Sequence, residues 1–186
     1  MKRIFKVIGI ALLCLLLIGG VVILGARWIY GPLGPIPGPK LRGALVEEAA
    51  QDWSSIDAVK VVQVETCPEH PYSVSTWLTR VGDEIYVFAG NAESPWVENI
   101  ASDPRVRIRI EGRIHERRAV SVADLETKRA FLAAMRSKYQ HDFGFDPEFF
   151  QRAWDGGDFV LLRMESRQAS VDQESSSPST PIELHH

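Results

Sequence analysis

From Val7 to Ala26 the chain reads VIGIALLCLLLIGGVVILGA, twenty residues without a charge. At 1.5 Å per residue such a helix matches a hydrocarbon core about 30 Å thick. A helix apolar on every side cannot be the surface helix of a small soluble domain, so the sequence divides into an N-terminal anchor and whatever follows it. A cleaved secretory signal is the competing reading. Its apolar region runs about 7 to 15 residues and ends in a small-x-small site. Here the exit is Ile23-Leu24-Gly25-Ala26-Arg27-Trp28, with Leu24 at the outer small position, and this favours a retained transmembrane helix. Cys14 sits mid-span after Leu12 and Leu13, so it reads as a packing residue and not as a lipid-attachment site. Lys2, Arg3 and Lys6 precede the span, whereas Arg27 stands alone just past it. The positive-inside bias therefore puts the N-terminus in the cytoplasm and the rest of the chain outside. Trp28 and Tyr30 suit the aromatic belt of the far interface.

Beyond the anchor, Gly31 to Gly43 holds four prolines and four glycines, which forbid a continuous helix and remove backbone donors. The segment reads as a semi-extended spacer; no repeated PxxP with a basic flank marks it as a recognition motif. Residues 167–186, with SSSPSTP and few large apolar groups, read as a disordered tail ending in His185 and His186. The domain between, residues 44–166, carries fourteen basic and twenty-one acidic residues, a net of −7. That balance argues against a nucleic-acid partner, which would meet a basic footprint. Two cysteines exclude a disulfide-built scaffold.

The domain has strand periodicity. Val59–Glu65, Ser73–Thr79, Ile85–Ala89, Arg105–Ile110, Ile114–Val122 and Asp158–Met164 give six strands, with turn signals at Val81-Gly82-Asp83-Glu84 and Glu111-Gly112-Arg113. Ser94 caps a short helix opened by Pro95 and closed by Asp103-Pro104. Asp124 caps a longer one, with Leu125, Leu132, Met135 and Tyr139 as its apolar stripe. Asp146-Pro147 opens a third carrying Phe149, Phe150, Ala153 and Trp154. The fold expected is mainly β: a six-stranded antiparallel barrel with packed helices, preceded by one transmembrane helix.

The stretch Ala89-Gly90-Asn91-Ala92-Glu93-Ser94-Pro95-Trp96-Val97-Glu98-Asn99-Ile100-Ala101-Ser102-Asp103-Pro104-Arg105-Val106, in that strand order, resembles the split β-barrel flavin and deazaflavin proteins of the pyridoxamine 5'-phosphate oxidase-like superfamily. Within them it resembles the deazaflavin-dependent nitroreductase group. The resemblance implies a homodimer with FMN, F420 or haem in a groove between the barrels, and an oxidoreductase that passes hydride or electrons to a small organic acceptor. It places Ser73, Ser75 and Trp77, or alternatively Val74 and Thr76, along the groove. It places Ala89, Gly90, Asn91 and Ser94 near the ring and phosphate. Two departures stand out. Where flavin-binding relatives carry an Arg-Lys pair after the loop serine, this chain has Pro95 and Trp96. Where the deazaflavin group has a Gly-Arg-Lys/Arg-Ser-Gly stretch, it has Glu65-Thr66-Cys67-Pro68-Glu69-His70-Pro71.

A cofactor phosphate needs charge-assisted donors or a helix N-terminus. Arg105, Arg107 and Arg109 project from one strand face, with Arg113, Arg117 and Arg118 in the following hairpin. Two readings of that stripe stand: a phosphate grip through Arg107 and Arg109, or a solvated outer face. Trp77 and Trp96 could stack on a flat ligand or belong to the core with Trp53 and Trp154. His70, His115 and His141 show no metal-ligand spacing, and His70 is the one placed for haem ligation. Cys67 lacks a partner base, Gly156-Gly157 lacks a phosphate-loop lysine, and no nucleophile elbow is present, so no catalytic residue is assigned. The alternative function is a non-catalytic binding module that has lost its phosphate grip and holds haem, another small ligand or a partner protein.

Overall fold

A computed structural model describes residues 2–32, 36–46, 53–142, 146, 148, 152 and 154–167. The helix expected from Asp146 falls largely outside the described residues, as does the tail from Gln168 onward.

α1 (Lys2–Tyr30) includes a segment, Phe5–Ala26, long and apolar enough to cross a membrane. Nothing in the barrel buries that segment. The short strand β1 (Ala44–Leu45) is followed by one 3₁₀ turn (Ser54–Ala58), then β2 (Val61–Thr66), β3 (Tyr72–Val81), β4 (Glu84–Ala89), α2 (Pro95–Ser102), β5 (Arg105–Ile110), β6 (Arg113–Ser121), α3 (Leu125–Tyr139) and β7 (Val160–Ser166). The sheet runs β6-β5-β2-β3-β4-β7, and β6 pairs with β7 to close six antiparallel strands into a barrel. β1 adds in parallel to the end of β6, where Ala44 faces Arg113. Sequence periodicity did not show β1, because two residues have no period.

Strict alternation decides which side chains fill the barrel. Val62 and Val64 of β2, Leu78 of β3, Ile85 and Val87 of β4, Val106 and Ile108 of β5, and Leu162 and Met164 of β7 form one interior cluster. Each such aliphatic side chain contributes about 1.5–3 kcal/mol by leaving water. The opposite parity of β3, β4 and β7 faces α3. Trp77, Tyr86, Phe88, Phe159 and Leu161 meet Phe131, Met135 and Tyr139 there in a second cluster.

The Asp124 cap is present, its carboxylate accepting the Thr127 N–H at 2.7 Å. The stripe differs from expectation: Phe131, Met135 and Tyr139 are buried, Leu132 is half-buried and Leu125 is exposed. Leu125 sits in the first turn, beyond the sheet's edge, whereas Phe131 and Met135 at i and i+4 lie over it. Tyr139 locks this packing. Its ring stacks on Trp77 with centroids 4.9 Å apart, and its hydroxyl lies 2.6 Å from the carbonyls of both Lys60 and Leu78.

Burial pushes the Tyr139 hydroxyl up to about 12, and burial with the Glu84 hydrogen bond does the same for Tyr86. An unfolded tyrosine ionises near pH 10. Between about pH 10 and 12 the unfolded chain therefore releases protons that the native chain holds, so stability present below pH 10 is lost as pH rises. Denaturant midpoints should hold steady to about pH 10 and fall above it. Tyr139→Phe should start from lower stability and fall less steeply, while an unchanged slope would remove Tyr139 as its source.

Candidate functional site

The β3–β4 ladder runs from the hairpin at Val81–Glu84 only as far as Leu78–Val87. Beyond it the strands part: β3 continues against β2 from Trp77 to Tyr72, and β4 continues against β7 as far as Ala89. Thr76 spans the parting, its hydroxyl donating to the Phe88 carbonyl at 3.1 Å. The fork opens a groove of about 300 Å³ lined by Pro37, Tyr72, Val74, Ser75, Thr76, Phe88, Ala89, Gly90, Ser94, Pro95 and Trp96. That volume is at the lower end of small-molecule sites, roughly 300–1,000 Å³.

Local chemistry builds the far wall. After Ala89 the chain turns through Asn91, whose side-chain oxygen accepts the Glu93 N–H at 2.8 Å. Ser94 takes an extended backbone as N-cap and leaves its hydroxyl uncommitted to the helix, while Pro95 fixes the first helical φ. Trp96 then lies 7% exposed, packed into the interior cluster and still edging the groove. α2 is tied to the β2–β3 turn through Asn99, whose Nδ2 donates to Thr66 Oγ1 at 3.0 Å. On the near wall, Ser73 exchanges its main-chain bonds with Gly38 on the edge away from β2. Alternation points the N–H and C=O of Ser75 to that same edge, into the groove.

Most of the residues expected in the site thus come together: Ser75, Ala89, Gly90, Ser94 and Trp96 from the first set, Val74 and Thr76 from the alternate set. Five others lie elsewhere. Ser73 is fully buried, its hydroxyl donating to the Pro39 carbonyl at 2.7 Å. Trp77 faces α3 and stacks on Tyr139, because its parity on β3 is the outer one. Asn91 is exposed in the turn beside the groove. Arg107 and Arg109 lie on the outer face and are committed to other partners: Arg107 pairs with Glu65 at 2.9 Å and donates to the Leu41 carbonyl, while Arg109 donates to the carbonyls of Arg42 and Tyr30. Arg105 pairs with Asp103 at 2.6 Å. The stripe is not a wall of the groove: Arg105 stays exposed beside Asp103, while Arg107 and Arg109 fasten other parts of the chain.

Sequence reasoning missed Pro37 and Tyr72 in the groove. Pro37 had no local signal, since it reaches the groove only through a long-range contact. Reasoning from the sequence grouped Arg117 with the other arginines of the hairpin, whereas β6 turns His115, Arg117 and Ala119 to the interior, opposite Ile108 and Val106. Arg117 lies under Trp53, 4.8 Å from ring centroid to guanidinium carbon, and burial pushes it down to about 10. Burial lowers His115 as well. His70, the residue placed for haem ligation, is exposed in the β2–β3 turn and absent from the groove wall.

No charged side chain lines the groove among the described residues. The walls offer apolar surface for a flat ring (Val74, Phe88, Trp96), hydroxyls at Thr76 and Ser94, main-chain groups at Ser75, and the amides that open α2. This donor set fits a planar heteroaromatic ring. For a phosphate it supplies the α2 N-terminus and Ser94 but no cation.

The sequence pattern of the family described as F420H(2)-dependent quinone reductase matches residues 70–143. That span runs from the β2–β3 turn to the end of α3 and contains every groove residue except Pro37. No curated protein matches the chain. Among solved structures, a conserved hypothetical protein from Mycobacterium tuberculosis aligns at 19% identity and TM-score 0.51, over 69% of this chain and 86% of that one. HutZ, the haem storage protein of Vibrio cholerae, aligns at 17% identity and TM-score 0.47, over 59% of this chain and 83% of that one. A FAD-binding protein from Mesorhizobium loti aligns at 14% identity and TM-score 0.45, over 64% and 91%. The chain has the split β-barrel fold of the pyridoxamine 5'-phosphate oxidase-like proteins.

Proposed function

We propose that this chain is a membrane-anchored oxidoreductase that binds F420, or FMN in its place, in the β3–β4 groove and reduces a small organic acceptor of the quinone type. The observation that carries the reading is the coincidence of the groove with the family match: residues 70–143 contain both arms of the fork and the opening of α2. Among the described residues the walls of the groove hold no ionisable side chain besides Tyr72, so they offer no acid/base pair, and redox chemistry has to come from a bound group. When bound, the reduced cofactor supplies a hydride to the acceptor, with a proton completing the reduction. Val74, Phe88 and Trp96 would hold such a ring and exclude water, Ser75 and Thr76 would offer polar partners to its edge, and Ser94 with the α2 amides would receive a phosphate. The site residues Ser73, Trp77, Asn91, Arg107 and Arg109 are left out of this role.

The reading includes a homodimer. A second barrel laid over the open side of the fork would cover the exposed face of the ligand and could bring the cations that this wall lacks. The mass of the detergent-solubilised chain should correspond to two copies; a monomer that binds cofactor at full affinity removes the partner from the site. A second reading, the non-catalytic binding module, is favoured by one observation: no cation stands where a phosphate would lie.

Titration of the purified full chain in detergent separates the two. F420 or FMN should bind with a quenched, shifted spectrum, and Trp96→Ala should weaken binding about tenfold, a stacking contribution, with Trp96→Phe recovering most of it. Binding of haem alone, or of no chromophore, rejects the oxidoreductase.

We also propose that the N-terminus is cytoplasmic and the barrel external, on the charge bias around α1. Deazaflavin and reduced nicotinamide pools are normally cytoplasmic, so this placement requires electrons delivered from the membrane. A C-terminal fusion reporter should be active only outside the cytoplasm; activity only inside reverses the placement and removes that requirement.

A further inference from the structure

The stretch after α1, read from its prolines and glycines as a spacer, is sewn to the barrel along its described length. The Tyr30 carbonyl, at the end of α1, accepts from Gln63 Nε2 at 3.0 Å and from Arg109. Gly31 turns the chain with φ +84°. Gly38 and Ser73 exchange two main-chain hydrogen bonds of 2.7 and 3.0 Å, and the Ser73 hydroxyl holds the Pro39 carbonyl. Leu41 is 1% exposed. Its N–H donates to Glu65 at 2.5 Å and its carbonyl accepts from Arg107 at 3.3 Å. Glu65 itself is 3% exposed and paired with Arg107. A buried carboxylate is tolerated only with such partners, so the strap and the arginine stripe satisfy each other.

We infer that this strap is the missing third wall of the groove, and that it makes the membrane helix part of the ligand site. Beyond the fork, β4 no longer covers the outer edge of β3; Gly38 pairs with that edge at Ser73, and Pro37 beside it lines the groove. Gly38 is also where the strap folds back on Gly31 and Pro32, the two residues that follow α1. A Cβ there would lie 2.4 Å from the Pro32 nitrogen and 2.7 Å from the Gly31 carbonyl carbon, both backbone atoms that cannot swing aside. The groove edge is therefore in direct contact with the turn that leaves α1. Pro37 and Gly38 are positioning residues: they set where β3's open edge and the ligand on it stand. The inference rests on the reading of the groove as the ligand site. A chain cut after residue 43 would lose a wall of that site.

Hydrogen exchange by mass spectrometry on the full chain in detergent tests it. In the wild type, amides of 36–42 and 72–76 should be protected like the barrel's own strands. In Gly38→Ala both segments should exchange about tenfold faster while α3 is unchanged. Ser73→Ala, which removes one bond and adds no clash, gives the same pattern more weakly and decides the matter if Gly38→Ala unfolds and α3 loosens too. A wild-type strap exchanging at free-chain rates overturns the inference, as does a loosened strap with 72–76 unaltered. F420 affinity should drop about tenfold in Gly38→Ala, and unchanged affinity beside altered exchange also overturns the inference. If the wild type binds neither F420 nor FMN, the proposed function fails, and the exchange comparison still decides the strap.

Discussion

The parting of β3 from β4 after the Leu78–Val87 pair is the constraint on which the other features of this chain depend. Each strand has a second partner, β2 for one and β7 for the other, and the closed barrel needs both pairings to satisfy its backbone. Past the fork each strand keeps only that second partner, and the edge that faced the other strand is left open. The side-chain bond from Thr76 to Phe88 holds the split at one level. Everything beyond that level borrows its geometry from the fork: the turn through Asn91, the opening of α2 at Ser94, the position of Trp96, and the exposed edge of β3 that the strap occupies.

Because the split sits between two strands of one barrel, its walls combine main chain and strand-end side chains with the margin of the interior cluster at Tyr72, Val74, Ala89 and Trp96. This explains the chemistry of the groove. The interior parity is spent on Val62, Val64, Leu78, Ile85 and Val87, and the outer parity of β3 and β4 on the α3 contact through Trp77 and Phe88. What remains for a ligand is an edge with hydroxyls and amides and almost no ionisable group. A site built this way positions a reactive group well and supplies little reactivity of its own.

Much of this was legible in the sequence where local rules apply. Alternation in Arg105–Ile110 predicted an arginine face opposite Val106, Ile108 and Ile110, and that face is there. Asp124 and Ser94 with Pro95 marked two helix starts, and the turn at Gly82-Asp83 marked a hairpin. The site was legible only in part. The family resemblance pointed to Val74, Ser75, Thr76, Ala89, Gly90 and Ser94, and the aromatic character of Trp96 marked it as a stacking candidate. Trp77 was misjudged because parity on β3 depends on which face α3 covers, a tertiary fact. Arg107 and Arg109 were misjudged for a related reason: alternation told their face but not what lies on it, and what lies on it is a segment whose prolines and glycines carry no periodic signal at all. Residue type predicts a free spacer there. Only the buried carboxylate of Glu65, which needs a cation and an N–H close by, hints that something must cover it.

That last point changes the meaning of the charge pattern. The arginines between 105 and 118 looked like surplus cations near a cofactor site that lacks them. Three of them are instead consumed structurally, Arg105 by Asp103, Arg107 by Glu65, Arg109 by the carbonyls of Tyr30 and Arg42. An exposed pair such as Arg105–Asp103 contributes little to stability, about 0–1 kcal/mol. The Glu65–Arg107 pair is different in kind, because removing one partner leaves a charge in a place water cannot reach. It specifies a geometry more than it adds stability: the strap has to lie where Leu41 can donate to Glu65, and lying there brings Gly38 to Ser73 and Pro37 to the groove. A flexible tether would leave the barrel free to turn at the end of α1. A tether fixed at Tyr30, Gly38 and Leu41 gives the groove one orientation relative to α1.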